Sequence, residues 1–294
     1  MQFAPTGDLA AFEASRPRLF GIAYRMLGSA AEAEDVVQDA WLRWQSVDHS
    51  QVREPAAFLA TTVTRLAIDA LSSARMQRET YIGPWLPEPV DTSQDPYLGA
   101  ERGEALEMAV LLLLEKLKPA ERAAYVLREA FDYDYEQIAH VLETSEANCR
   151  QLVTRARKHL AAERRQLVSR EQQEQLLDSF LAAAKNGDTA ALEELFTTDI
   201  ISLSDGGGVV TAAKVPVLGR ERVAQVIAFF GRQLWPGISV KRLQVNGEPA
   251  VLLHNGHDPF AVIHLEASAE GVYRMLWVMN PAKLARISSS LSQN

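Results

Sequence analysis

The chain has 294 residues, of which 47% are hydrophobic and 23% charged, and its formal net charge is -8. This length favours two or three compact units, and this composition is typical of a soluble globular protein. No apolar run approaches the ~20 residues of a membrane helix and no basic-then-apolar leader opens the chain, so we expect a cytoplasmic protein without membrane contact. The single cysteine, Cys149, excludes an internal disulfide and disfavours a cysteine-based zinc site; its apolar neighbours favour packing over redox sensing.

Two helices are predicted before residue 50. Residues 9–27 are amphipathic, with Pro17 expected to start or interrupt the helix. Ser29 and Glu32 have capping-box spacing at the start of the next helix, roughly 30–47. From the residues alone, its outward side is an ordinary solvated face, and it carries Glu34, Asp35, Gln38, Asp39 and Arg43.

A third long helix is predicted over residues 56–78, after Pro55. Leucine, valine and alanine can face inward together along its length. The other side forms a polar, mildly basic surface that includes Thr61, Thr62, Arg65, Ser72, Arg75, Gln77 and Arg78.

Residues 79–103 form a linker by composition, rich in proline, serine, threonine and aspartate. Within it, the segment WLPEP, residues 85–89, is too apolar for a purely passive tether. It is suited to docking in a groove, or it is a surface loop whose tryptophan packs locally.

Residues 135–160 read as two short helices joined by the turn Glu143-Thr144-Ser145. Ser145 can cap the second helix, and an apolar stripe that includes Cys149 and Leu152 repeats at helical spacing along it. Its outward face carries amides and cations, as does a helix laid in a DNA major groove. A helical hairpin with a merely solvated basic face is the alternative.

The pattern changes beyond residue 165. A helix over 171–188 with Gly187 as its stop signal is followed by a shorter one over 189–199. Strands are then expected at 200–203, 209–212, 238–245, 250–253, 260–266 and 272–279, with a helix over 219–234 before Pro236. The tail from Ala285 looks disordered or weakly docked.

The order AYRMLGSAAEAEDVVQDAWLRW, FLATTVTRLAIDALSSARMQRE and LKPAERAAYVLREAFDYDYEQIAHVLETSEANCRQLVTRARKHL resembles an extracytoplasmic-function RNA polymerase sigma factor. The match covers region 2 at about residues 9–80 and region 4 at about 105–163. WLPEP, DGGG at 205–208 and NPAKL at 280–284 are similar to motifs of group forty-one of this class, which carries a fused C-terminal SnoaL-like domain. Val209 and Ala282 depart from the usual lysine and aspartate of the last two motifs.

This resemblance implies the fold: two all-α sigma domains, a region 2 helical bundle and a region 4 helix-turn-helix, then an α+β SnoaL-like, cystatin-related cone with a curved antiparallel sheet. The expected domains are region 2 at 1–80, the linker at 81–103, region 4 at 104–166 and the SnoaL-like domain at 167–294.

The resemblance also implies two partners, core RNA polymerase and promoter DNA. Region 2 would dock on the β′ clamp helices through Glu34, Asp35, Gln38, Asp39 and Trp41, and region 4 would contact the β flap. The -10 element would be opened by the third helix through Thr61, Thr62, Arg65, Arg75 and Arg78, although members commonly have an Arg-Asn pair where this chain has Thr64-Arg65.

Region 4 would read the -35 element through the helix-turn-helix. The expected DNA-binding residues are Ser145, Glu146, Asn148, Arg150, Gln151, Thr154, Arg155, Arg157 and Lys158, with further phosphate contacts from Arg164 and Arg165.

The expected function is therefore an alternative sigma factor controlled in cis by its C-terminal domain. The fused domain would meet its target intramolecularly, at high effective concentration. The regulatory contacts implied are Trp85, Leu86, Pro87, Glu88, Pro89, Asp205, Gly206, Gly207, Gly208, Asn280, Pro281, Lys283 and Leu284, and WLPEP and DGGG should lie near one another.

Two alternatives concern the cone. SnoaL-like cones include isomerases and cyclases that use a carboxylate as general base, and the available groups are Asp199, Asp205, His254, His257, Asp258 and His264. A small ligand bound without chemistry would make the chain a small-molecule-sensing regulator. We expect no enzyme activity, cofactor or metal.

Overall fold

The computed structural model describes residues 6–92, 106–163, 165, 168–235, 237–256 and 258–291. The chain divides into two compact units. The first comprises Met1–Glu79 and Asp95–Glu163, and the second comprises Thr80–Gln94 and Arg164–Asn294. Among the described helices, none has the length and apolar character needed to cross a membrane.

The regular secondary structure in the described part of the first unit is helical. The helices are α1 (Thr6–Leu27), α2 (Ala30–Gln45), α3 (Pro55–Glu79), α4 (Met108–Leu114), α5 (Pro119–Phe131), α6 (Tyr135–Leu142) and α7 (Glu146–Glu163), with a 3-10 turn at His49–Gln51.

Helix α1 runs through Pro17, so the expectation that this proline starts or interrupts the helix was wrong. A proline removes one backbone hydrogen bond, but helices in proteins are held mainly by tertiary packing. Phe12 and Leu19 are buried on either side of Pro17. Packing of both halves of α1 therefore offsets the lost hydrogen bond.

The helix-turn-helix forms as expected, and its local signals explain its ends. Asp134 caps α6 in a capping box with Gln137, and Glu143 ends that helix in the left-handed conformation at φ 51°. The Ser145 hydroxyl accepts a hydrogen bond from the Asn148 amide at the start of α7. The apolar stripe is buried through Ile138, Val141, Cys149, Leu152, Val153, Ala156 and Leu160.

The second unit packs helices on a six-stranded sheet. Its elements are α8 (Arg170–Asn186), α9 (Thr189–Leu195), β1 (Phe196–Asp205), β2 (Val217–Leu218), α10 (Arg220–Leu234), β3 (Ile238–Val245), β4 (Glu248–Asn255), β5 (Asp258–Ser268), β6 (Gly271–Val278) and α11 (Pro281–Leu291). The strand order is β2-β1-β6-β5-β4-β3. This architecture confirms the α+β prediction.

The sheet is mixed, whereas an antiparallel one was expected. Strand β1 pairs with β6 in parallel, with Asp205 opposite Val278. The chain passes through α10 and four further strands between them, so no hairpin forces an antiparallel pairing.

Three local expectations in this unit were wrong. The strand predicted at 209–212 is a turn, because a turn closes after Gly206, whose carbonyl accepts hydrogen bonds from the amides of Val209 and Val210. Residues 196–199 belong to β1 and not to the preceding helix. The tail from Ala285 continues α11 through Leu291, with Ile287 buried.

Strand alternation separates the two faces of the sheet. On one face, Val251, Ile263, Leu265 and Met275 join a core with the helices α8, α9 and α10. The opposite face carries Asp205, His264 and Glu266, which are also buried. These three buried ionisable side chains therefore lie on the face of the sheet that points away from the main apolar core.

The close approach of α10 to α8 predicts a stability effect. A Cβ on Gly231 would lie 2.1 Å from the Ala184 carbonyl oxygen. We expect Gly231→Ala to destabilise the second unit by about 1–3 kcal/mol through overpacking, seen as a lower thermal midpoint. Gln225→Ala, at an exposed position of the same helix, should melt like the wild type. A Gly231→Ala midpoint equal to that of this control would contradict the close approach.

Candidate functional site

The carboxylate of Asp205 is buried at the end of β1 in the second unit, and four donors surround it. Its Oδ1 accepts from the Tyr81 hydroxyl at 2.5 Å and the Gly207 amide at 3.0 Å. Its Oδ2 accepts from the Leu86 amide at 2.9 Å and the Lys283 ammonium at 2.7 Å. The buried charge is thus both paired and hydrogen-bonded, as burial requires.

Lys283 also binds the linker, at Leu86. Its ammonium also donates to the Leu86 carbonyl, so both backbone groups of Leu86 are bound, and the Leu86 side chain is fully buried. The same ammonium lies 4.3 Å from the Trp85 ring centroid. Asn280 donates to the Tyr81 hydroxyl at 2.9 Å. We call Tyr81, Leu86, Asp205, Asn280 and Lys283 the Asp205 site.

The linker is held a second time at the β3–β4 hairpin. The Val90 amide donates to the Asn246 side chain at 3.0 Å, and the Val90 carbonyl accepts from the Asn246 amide at 2.9 Å. Asp91 bridges Val245 in antiparallel fashion, and the Thr92 amide donates to the Gln244 carbonyl. These contacts extend the sheet by a short edge segment.

The three glycines after Asp205 are required by close contacts. A Cβ on Gly206 would lie 2.7 Å from the Val210 carbonyl oxygen. Gly207 has φ 63°, and a Cβ there would lie 2.5 Å from the Asn280 amide nitrogen. Glycine therefore lets DGGG and NPAKL approach each other directly.

The predicted regulatory residues largely converge on this region. Pro87, Glu88 and Pro89 are buried with Leu86, and Leu284 is buried beside Lys283. Val209 and Ala282, the two departures from the family motifs, are exposed, as is Pro281. Sequence reasoning missed Tyr81 and Asn246, although Asn246-Gly247 is a hairpin signal that could have been recognised.

In the first unit, Arg65 binds the end of α6. Its Nε donates to the Val141 carbonyl at 3.0 Å and its Nη2 to the His140 carbonyl at 3.1 Å. Its Nη1 lies 3.0 Å from the Glu143 carboxylate. The last carbonyls of a helix lack intrahelical partners and carry partial negative charge, so a guanidinium is a suitable cap.

Three further arginines make the same kind of contact. Arg18 donates to the Phe131 carbonyl at the end of α5, and Arg122 donates to the Met26 carbonyl near the end of α1. Arg78 donates to the Leu27 carbonyl, and it shares the Glu115 carboxylate with Arg122. Arg18, Arg65 and Arg122 thus each link one of the helices α1–α3 to one of the helices α4–α7 at a helix end.

The other residues of α3 that were predicted to bind the -10 element are Thr61, Thr62, Arg75 and Arg78. Thr61 and Thr62 are half-buried, and the Thr62 hydroxyl donates to the Phe58 carbonyl. The side chain of Arg75 lies outside the described residues. Arg65 contacts the end of α6, and Arg78 contacts the Leu27 carbonyl and the Glu115 carboxylate.

The predicted DNA-reading residues share one face of α7. Asn148 is half-buried, and the exposed members are Ser145, Glu146, Arg150, Gln151, Thr154, Arg155, Arg157 and Lys158. Arg150 pairs with Glu146 at 2.7 Å and Arg157 with Glu129 at 2.7 Å. Such exposed pairs are weak and can be exchanged for phosphate.

The predicted polymerase-binding residues lie on α2, with Asp35, Gln38 and Asp39 exposed and Trp41 half-buried. A groove of about 310 Å³ separates α1 from α2. Its lining combines apolar and charged groups: Leu9, Phe12, Glu13, Arg16, Glu34, Val37, Gln38 and Trp41.

The groups considered for catalysis are largely engaged elsewhere. Arg165 pairs with Asp199, and its hydrogen bond holds the pKa of that carboxyl below its usual value. Burial lowers the pKa of His254. Asp258 is exposed, His257 lies outside the described residues, and His264 is buried within a cluster described below. Arg164 also lies outside the described residues.

Comparison with known proteins matches this architecture. Residues 11–76 match the sigma-70 region 2 family and residues 107–160 the sigma-70 region 4 family. The chain is 38% identical over 249 residues to the ECF RNA polymerase sigma factor SigJ of Mycobacterium tuberculosis, covering 82% of this chain and 79% of that protein. It is 30% identical over 289 residues to a probable ECF RNA polymerase sigma factor, SigI, of the same organism, covering 96% of each.

A solved structure is similar over nearly the whole chain. The crystal structure of the M. tuberculosis extracytoplasmic function sigma factor SigJ has a TM-score of 0.75 and 31% identity, covering 95% of this chain and 98% of that one.

The Asp205 site predicts a stability change. Asp205→Asn keeps the shape but removes the buried charge that Lys283 neutralises, so we expect a loss of about 3 kcal/mol in the second unit. Urea unfolding would measure the loss, and limited trypsin digestion would show faster cleavage around the linker. Asp199→Asn removes an exposed ion pair and is the matched control. Equal stability of the two variants would contradict the role given to Asp205.

Proposed function

Because this chain belongs to the extracytoplasmic-function RNA polymerase sigma factors of the SigJ type, we propose that its SnoaL-like domain restrains it in cis by holding the linker between regions 2 and 4. The chain is an alternative sigma factor that directs core RNA polymerase to specific promoters.

The observation that supports the restraint is that both backbone polar groups of Leu86 are hydrogen-bonded to the C-terminal domain. Asp205 accepts from its amide while Lys283 donates to its carbonyl. A linker bound through its backbone and by a buried side chain cannot extend until this site opens. Since the linker joins regions 2 and 4, its docking limits how far they can separate.

The state of the promoter-binding helices supports the same proposal. Arg65, a predicted -10 residue, caps α6, the first helix of the region 4 helix-turn-helix. While this contact persists, Arg65 is withheld from promoter DNA and region 4 remains packed on region 2. Binding of both promoter elements then requires the two regions to part.

Core RNA polymerase is the ligand that would shift this equilibrium. A partner favours the state that it binds more tightly, and the α1–α2 groove supplies a surface for the polymerase in region 2. In region 4, exposed α7 cations such as Lys158 supply the phosphate contacts and the remainder of the α7 face reads the -35 element.

Run-off transcription tests the restraint. With limiting core polymerase and a promoter selected for this factor, Asp205→Asn should raise the initial rate because the linker is released more easily. We expect a gain of several-fold, because each 1.4 kcal/mol removed from the free energy of linker docking raises the open population by up to about tenfold, and the rate stops rising once most molecules are open. Asp199→Asn should transcribe like the wild type.

One combination of results for Asp205→Asn would contradict the restraint. If Asp205→Asn shows faster linker proteolysis but an unchanged or lower transcription rate, docking of the linker does not restrain the factor. Such a result would leave the family assignment intact.

A further inference from the structure

Four ionisable side chains form a cluster on the sheet face opposite the main core, and three of them are buried while the fourth, Arg274, is partly exposed. Glu248 lies on β4, His264 and Glu266 on β5, and Arg274 on β6. His264 is 1% exposed, Glu266 0% and Glu248 7%. The His264 Nε2 lies 3.2 Å from the Glu248 carboxylate, and the Arg274 guanidinium lies 3.1 Å from that of Glu266. When His264 is protonated, two positive groups balance two negative ones.

Loss of one proton changes this balance. With His264 neutral and both carboxyl groups ionised, two buried carboxylates would face a single, partly exposed guanidinium. Burial of an uncompensated charge is costly, so the neutral imidazole destabilises the fold around it. Gln173, from α8, donates to Glu248 at 3.4 Å and to the Leu265 carbonyl at 3.0 Å but carries no charge to compensate.

The cluster adjoins the β3–β4 turn that binds the linker. Glu248 begins β4 immediately after the Asn246-Gly247 turn, whose groups bind Val90 and Thr92. A shift of Glu248 would move this turn.

The cluster also reaches the other connection to region 4. The Arg274 guanidinium lies over the Tyr273 ring at 5.9 Å, and the Arg165 guanidinium lies over the same ring at 4.8 Å. Arg165 follows two residues after the last helix of region 4, which ends at Glu163. The cluster therefore contacts the segments that lead into and out of region 4.

We propose that the His264–Glu248–Glu266–Arg274 cluster is a proton-dependent switch, in which protonated His264 holds the linker-binding hairpin and deprotonation loosens it. The proposal requires a docked linker but does not require that docking represses transcription. The groups facing His264 are Glu248, Glu266, Arg274 and Tyr273, from β4, β5 and β6.

The direction of the pH effect follows from the pKa shifts. Desolvation alone would lower the pKa of His264, but Glu248 and Glu266 raise it above its ordinary 6.5. Desolvation raises the pKa of Glu266 against the opposing effect of Arg274. The folded domain binds the His264 proton more tightly than the unfolded chain does, so the stabilisation from protonated His264 is full below pH 6.5 and is lost as the pH rises through the folded pKa of His264. The stabilisation from protonated Glu266 is full only below pH 4.5 and is lost as the pH rises through the raised pKa of that carboxyl.

Hydrogen exchange of the full-length protein tests the switch. Protection of linker amides, including Val90 and Thr92, would be measured by mass spectrometry from about pH 6 to about pH 9 and corrected for intrinsic exchange. In the wild type we expect protection to fall by about tenfold for each unit by which the folded pKa of His264 exceeds its ordinary value. His254→Gln, on neighbouring β4, should keep this decrease.

Two cluster variants have opposite expected outcomes. His264→Gln cannot be protonated and should show low linker protection at every pH. Glu248→Gln removes one negative charge, so the cluster is neutral when His264 is neutral, and protection should persist at high pH and weaken at low pH. If both variants loosen the linker equally at all pH values, or if the wild type shows no pH step, the switch is refuted.

Discussion

The second unit depends on a buried carboxylate that the SnoaL-like domain cannot satisfy with its own groups alone. Of the four donors to Asp205, the domain supplies the Gly207 amide and the Lys283 ammonium, whereas Tyr81 and Leu86 come from the linker. When the linker leaves, two hydrogen bonds to a charge are lost. Water can replace them once the site opens, so docking is favourable yet reversible. Those are the properties that an intramolecular restraint requires.

The first unit uses the complementary arrangement, in which cations satisfy backbone carbonyls. Arg18, Arg65 and Arg122 each bind carbonyl groups at the end of a helix in the other region. A guanidinium that binds helix carbonyls can bind phosphate oxygens with the same geometry. The same guanidinium chemistry therefore suits both of the roles proposed for Arg65, which are to hold region 4 in the free protein and to contact the -10 element in the promoter complex.

Much of the fold was predictable because local patterns determine it. Ser29, Ser145 and Gly187 mark helix ends, and the strand at 238–245 was predicted with its correct bounds. The parallel pairing of β1 with β6 depends on residues that are about 70 apart, which periodicity cannot reveal. The helix through Pro17 likewise depends on tertiary packing that overrides a local signal.

The candidate site was predictable only in part. Family motifs indicated WLPEP, DGGG and NPAKL, but Tyr81 carries no local signal, since its hydroxyl meets Asp205 across 124 positions. The contact of Arg65 with the end of α6 could not be predicted from the sequence either, because any suitably placed cation can bind the carbonyls at a helix end. The cluster at His264 was missed because buried charges on alternate strand positions resemble an ordinary solvated face.

The most direct measurement of the restraint is the distance between regions 2 and 4 in solution. Spin labels at Ser73→Cys and His159→Cys, both exposed positions, would report it by double electron–electron resonance, with buried Cys149 left unlabelled. We expect one short, narrow distance distribution in the free protein and a longer one with core RNA polymerase, with Asp205→Asn shifting part of the free population toward the longer distance. An identical distribution in all three samples would contradict a linker-held state that opens on polymerase binding.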